Sequence, residues 1–122
     1  MLLTNKDIYS QAIKLHESFY DENQELPVRI NFYLQKNKKL LMDLSVEIEE
    51  SRSAILAKYG VLDNGNGTYK FDQDNALVAQ NELNDLLKLE QEVNIYKIKF
   101  SDFPDDLVLT TGQMEALMFM IE

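Results

Sequence analysis

Cysteine is absent from this 122-residue chain, histidine occurs once, and only two prolines and four glycines interrupt it. Without cysteine there is no disulfide, thiolate nucleophile or sulfur-ligated metal, and a reducing compartment fits best. Long apolar runs are missing too: even the stretch from Met114 to Ile121 is broken by Glu115 and falls short of the ~20 residues that span a bilayer. The opening Met1 to Asp7 lacks the basic n-region and continuous apolar h-region of a secretory signal, so the protein is expected to stay in the cytoplasm where it is made. A hydrophobic fraction of 45% against 27% charged is ordinary for a globular protein, and this length suits a single domain over residues 1–122.

The charge is unbalanced along the chain. Residues 1–60 carry nine acids and eight bases, whereas residues 61–122 carry twelve acids and four bases, within a total of -9. Such a field repels nucleic acid from the second half and attracts a basic protein surface, although acidity also keeps a small protein soluble.

Hydrophobic spacing predicts mostly helix. Thr4-x-x-Asp7 resembles a capping arrangement, and Ile8, Ala12, Leu15 and Phe19 then step by four, three and four residues, with Tyr9, Ile13 and Tyr20 widening the stripe. The polar run Asp21 to Glu25 ends this helix, and Pro27 suits the first turn of the next. From Val28 to Tyr59 neither Gly nor Pro occurs, and Ile30, Leu34, Leu41, Leu44, Ile48, Ile55 and Tyr59 mark a seam. A helix of up to ~30 residues, roughly 45 Å long, follows. Asn37 and Ser51 interrupt that seam, which leaves a kink, a register-setting polar contact or solvent exposure open. Gly60 is a C-terminal stop.

Two Asn-Gly pairs between Val61 and Phe71 predict a small β-hairpin or tight β-turn, because both residues tolerate the positive φ that a type I′ turn requires. After Asp72 a second long helix, Asp74 to Glu92, is expected to return antiparallel along the first, with Ala76, Ala79, Leu83, Leu86 and Val93 on its seam. Val93 to Phe100 reads as a strand whose nearest partner is Thr68 to Phe71. Ser101 to Asp106 is a turn, and Thr110-x-x-Gln113 matches a capping box opening a final helix. The expected fold class is mainly α with a small β-hairpin or short antiparallel sheet (α+β): a long antiparallel helical hairpin plus N- and C-terminal helices.

No motif carries catalysis. His16 flanks the first stripe with no serine or cysteine placed to use it. The loop Asp63 to Asp74 begins and ends like a calcium loop, but Gly65 and Gly67 replace ligands and Thr68 replaces the turn glycine. The carboxylates Glu47, Glu49 and Glu50, and later Glu90 and Glu92, read as solvated helix faces, because acid–base chemistry needs a cleft that separates their pKa values. Lys36, Lys38 and Lys39 form the one basic cluster, better suited to offsetting nearby acids than to gripping phosphate. No metal, cofactor or catalytic residue is assigned. The final segment is apolar nearly all round, so Leu117, Phe119 and Met120 cannot all enter one core from a regular surface helix; core packing and an interface, self-association included, both remain open.

The segments Leu26 to Asn37, Lys58-Tyr59-Gly60, Glu90-x-Glu92-Val93-x-Ile95 and Leu109-Thr110-x-x-Gln113-Met114-Glu115-Ala116 together form a pattern over nearly the whole chain. It resembles small proteins of uncharacterised function encoded by phages and prophages of Gram-positive bacteria. The resemblance implies a phage product that acts inside the bacterial host or is built into a virion, and it supplies no active-site residues.

The expected function is therefore non-enzymatic binding of a host or phage protein, with no direct nucleic acid and no membrane contact. In its sharper form this is an acidic inhibitor of a nucleic-acid-binding host defence protein, with Asp72, Asp74, Glu82, Asp85, Glu90 and Glu92 as contacts. The alternative is a virion morphogenesis factor, a tail or head assembly chaperone or connector, working through Leu117, Phe119 and Met120.

Overall fold

A computed structural model of the chain describes residues 1–20, 24–63 and 65–122. The first strand, β1 (Leu2–Thr4), runs directly into α1 (Asn5–Ser18). Thr4 and Asp7 close a reciprocal capping box there: the Asp7 N–H donates to the Thr4 hydroxyl oxygen at 3.0 Å and the Thr4 N–H to Asp7 Oδ2 at 3.3 Å. Ile8, Ala12, Leu15 and Phe19 are buried, as their spacing predicts, while Ile13 and Tyr20 point to solvent. Part of the polar run after Tyr20 lies outside the described residues.

Helix α2 (Val28–Tyr59) is an unbroken 32-residue rod entered through Pro27. It is followed by β2 (Val61–Asp63) and β3 (Thr68–Lys70), paired antiparallel, then α3 (Gln73–Lys88), β4 (Glu90–Glu92) and the short α4 (Thr111–Leu117). Asp72 caps α3 by accepting from the Asn75 N–H at 2.8 Å. Tyr9 meets Glu49 and Phe19 meets Lys38, so α1 runs antiparallel to α2 along its first half. Tyr59 meets Glu82, so α3 returns antiparallel along the second half. The mainly helical class with a small β component and the helical hairpin are as the sequence predicts. Among the described residues no helix is long and apolar enough to cross a membrane.

Three sequence expectations change. The second helix stops at Lys88, and Glu90–Glu92 leave it to pair antiparallel with β1, with Leu2 opposite Glu92. Val93 to Phe100 is not a strand: Val93 and Ile98 are buried five residues apart, which breaks a period of two, and only Ile98 makes a bridge, parallel to Ile121. The hairpin turn is longer than a two-residue type I′ loop. Asp63 pairs with Thr68, its carbonyl accepts from the Gly67 N–H at 2.9 Å, and the one positive φ among the described residues is Gly67 at 72°. Asn64, half of the first Asn-Gly pair, lies outside the described residues.

The core gathers at the first half of α2, where Ile30, Leu34, Leu41 and Ile48 meet α1, Val93, Ile98 and the C-terminal segment. Three buried carboxamides tie loops to it. Asn5 donates to the Leu86 carbonyl at 2.8 Å and accepts from Gln91 at 2.7 Å. Gln113 donates to the Ser18 carbonyl at 3.0 Å as well as completing its capping box. Asn37, where the apolar seam fails, reaches the backbone of Tyr96. Ser51, the other interruption, is exposed.

Candidate functional site

The two halves of α2 differ sharply in how they are covered. Among the described residues from 49 to 88, Ala79 alone is buried. This segment is an arm of two helices and a β-hairpin that α1 covers only at its base, through Tyr9 at Glu49 and Asn5 at Leu86. Helical stripes gain stability by burial against a second layer, and here Leu77, Val78, Val61 and Leu62 remain exposed instead.

One side of the arm holds a cleft of about 540 Å³, walled by Ile48, Leu56, Ala76, Leu83 and Leu87 and closed at the hairpin end by Phe71. Its small residues on α3, Ala76 and Ala79, leave the space that larger side chains would fill. At the other end the Tyr9 hydroxyl donates to Glu49 Oε2 at 2.9 Å, and Arg52 Nη1 donates to Glu49 Oε1 at 2.9 Å. Burial, aided by the hydrogen bond and charge of Glu49, pushes the Tyr9 pKa up to about 12, with Arg52 opposing. The rim thus carries one charge of each sign and no net charge. An apolar cleft with a few convergent polar groups and a perturbed side chain has the general form of a binding site.

The acids expected to meet a partner do not converge. Asp74 and Asp85 share an exposed face of α3 with Val78 and Asn81, at spacings of four, three and four. The cleft residues Ala76, Gln80, Leu83 and Leu87 repeat the same spacing two positions later, about 200° around the helix, so the acids point away from the cleft. Asp72 is occupied as a helix cap. Glu82 is held by the Tyr59 hydroxyl at 2.7 Å and by Lys58 at 3.6 Å, and Glu92 by the N-terminal amine at 2.7 Å. Glu90 lines a shallow recess with Glu47 on the opposite side of α2. No ion pair among the described residues engages Asp74, Asp85 or Glu90.

The C-terminal contacts are a correction. Leu117 and Met120 are fully buried and Phe119 is packed against the core, so the first two offer no surface to a partner. The regular helix ends at Leu117 and tightens into a 3₁₀ turn over Met118–Met120. At three residues per turn Leu117 and Met120 align on one side, which removes the conflict that a regular helix would create. The lysine cluster is dispersed as well: Lys38 donates to the Phe19 carbonyl at 3.4 Å, Lys39 lies 3.9 Å from Asp43, and Lys36 sits over the Phe32 ring. His16 is exposed.

Sequence reasoning missed the cleft. Its walls come from α2 and α3 with Tyr9 of α1 at the mouth, residues far apart in sequence, and its signal was the pair of alanines on the α3 seam. No protein-family model, curated protein or solved structure matches the chain.

Proposed function

We propose that this protein is a non-catalytic binding protein that docks on another protein through its α2–α3 arm. The observation that carries this reading is the single buried residue among those described between positions 49 and 88: an arm so lightly covered, with exposed Leu77 and Val78 beside Asp74 and Asp85, suits a surface that another protein completes. The two free carboxylates favour a basic partner and speed its approach. In the phage setting that the resemblance implies, a host protein with a nucleic-acid-binding surface is the leading partner, its basic channel occupied by the acidic face of α3. The competing role in virion assembly loses support because Leu117 and Met120, its proposed contacts, are enclosed.

The test compares capture from host lysate by the wild-type protein, by Asp74→Lys with Asp85→Lys, and by Leu77→Asp. A specific partner retained by the wild type, released by added salt and lost from both variants while their melting temperatures stay unchanged supports the reading. A partner held equally by all three proteins overturns it.

A further inference from the structure

On the cleft side of the arm, the geometry points to a second copy of this chain as the occupant. This inference rests on the same uncovered arm as the proposed function, but concerns its opposite face. Along α2, Met42, Val46, Glu49 and Leu56 follow at intervals of four, three and seven residues and therefore share one side of the helix. Met42 and Val46 are large apolar side chains left 41% and 55% exposed, so they stand out as knobs. Leu56 lies beyond Glu49 and forms the wall of the cleft, which is a hole. Between knobs and hole sits the Glu49–Arg52 ion pair.

That order is self-complementary about a two-fold axis. With the axis between Glu49 and Arg52, Val46 lies ~7 Å on one side and Leu56 ~8 Å on the other at 1.5 Å per residue. Antiparallel pairing of two α2 helices then sets Val46 of each copy over the cleft of the other. The same rotation brings each Glu49 carboxylate to the partner's Arg52, whose guanidinium has spent one of its five N–H donors on Glu49. An isologous interface requires such matching of a surface to itself. Exposed Ile13, one helical turn after Tyr9 on α1, is covered by the incoming arm.

The free acids of α3, Asp74 and Asp85, lie behind the cleft and stay outside the contact, while Glu50, one turn beyond Val46, flanks it. Two arms stacked this way form four helices in two layers, with each copy supplying the layer the other lacks. Both acidic α3 faces remain outside, and the assembly becomes bivalent toward a basic partner.

Sedimentation equilibrium across the micromolar range tests the inference, with wild-type protein expected to shift from monomer to dimer. Val46→Asp alters an exposed position and leaves the fold intact, and it is expected to raise the dimer dissociation constant about tenfold or more. Glu49→Arg and Arg52→Glu each place like charges across the axis and are expected to be monomeric alone, while their equimolar mixture forms heterodimers. Wild-type protein that stays monomeric to high micromolar concentration overturns the inference, as does a dimer indifferent to Val46→Asp or variants that fail to complement. Capture of a basic partner that persists with Val46→Asp would leave the proposed function standing in each of these cases.

Discussion

The side chain of Asn37 is joined to the backbone of Tyr96 by two hydrogen bonds, Nδ2 donating to the Tyr96 carbonyl at 2.9 Å and the Tyr96 N–H donating to Oδ1 at 2.8 Å. Asn37 is fully buried in the middle of the apolar seam of α2. Its carboxamide does for Tyr96 what a neighbouring strand would do, which is why the β-branched segment from Val93 stays irregular.

Asn37→Leu is therefore expected to destabilise the protein by about 2–3 kcal/mol despite being more apolar, because it strands a buried donor and acceptor. Urea unfolding would show a lower midpoint with an unchanged slope. A midpoint equal to the wild type would mean that water or a shifted loop satisfies the Tyr96 backbone.

Much of the fold was legible because its signals are local. Helix α2 matches its sequence boundaries at both Val28 and Tyr59, since Pro27 and Gly60 punctuate a stretch free of breakers. Thr4 and Thr110 announced their caps. What could not be read depends on contacts distant in sequence: Asn5 with Leu86 and Gln91, Asn37 with Tyr96, and the pairing of β1 with β4. These polar groups look unremarkable until partners some sixty to ninety positions away arrive. The candidate site was legible only in its charge, and the structure divides that charge between a free face on α3 and carboxylates already engaged within the fold.

The cleft mouth carries a pH signature. The folded chain holds the Tyr9 proton up to about pH 12, beyond the ordinary tyrosine value of 10.0, so its contribution to stability is complete below pH ~10 and is lost as pH rises through the folded value. Tyrosinate absorbance of the wild type minus that of Tyr9→Phe would isolate this titration. Glu49→Gln removes the carboxylate charge and is expected to shift it downward. No movement would show that Glu49 contributes little to the raised value.

Removal of residues 113–122 is expected to unfold the body. It takes away Ala116, Leu117 and Met120, all fully buried, and the Gln113 clamp on Ser18. Burial of each large apolar side chain contributes about 1.5–3 kcal/mol, so the combined loss is comparable to the whole stability of a domain this size. Circular dichroism and thermal melting of the truncated chain would reveal the loss. A cooperatively melting truncation would return this segment to the role of an interface.

Hydrogen exchange would read the division between body and arm directly. Local opening costs less where few apolar groups are buried, and Ala79 alone is buried among the described residues of the arm while Leu34, Leu41 and Ile98 are sealed in the body. Amides of α3 and of α2 beyond Glu49 are thus expected to exchange faster than those of α2 from Ile30 to Ile48, at the same low protein concentration. Dimerisation through the cleft adds a second expectation: protection of the arm rises with protein concentration, because any species that binds the folded arm stabilises it by mass action. The body amides, already covered, should change little. Val46→Asp separates the two effects, since it should leave the arm fast at every concentration. Uniform protection across both halves at low concentration would contradict the idea of an uncovered arm, and arm protection that ignores concentration would leave the arm without its second copy.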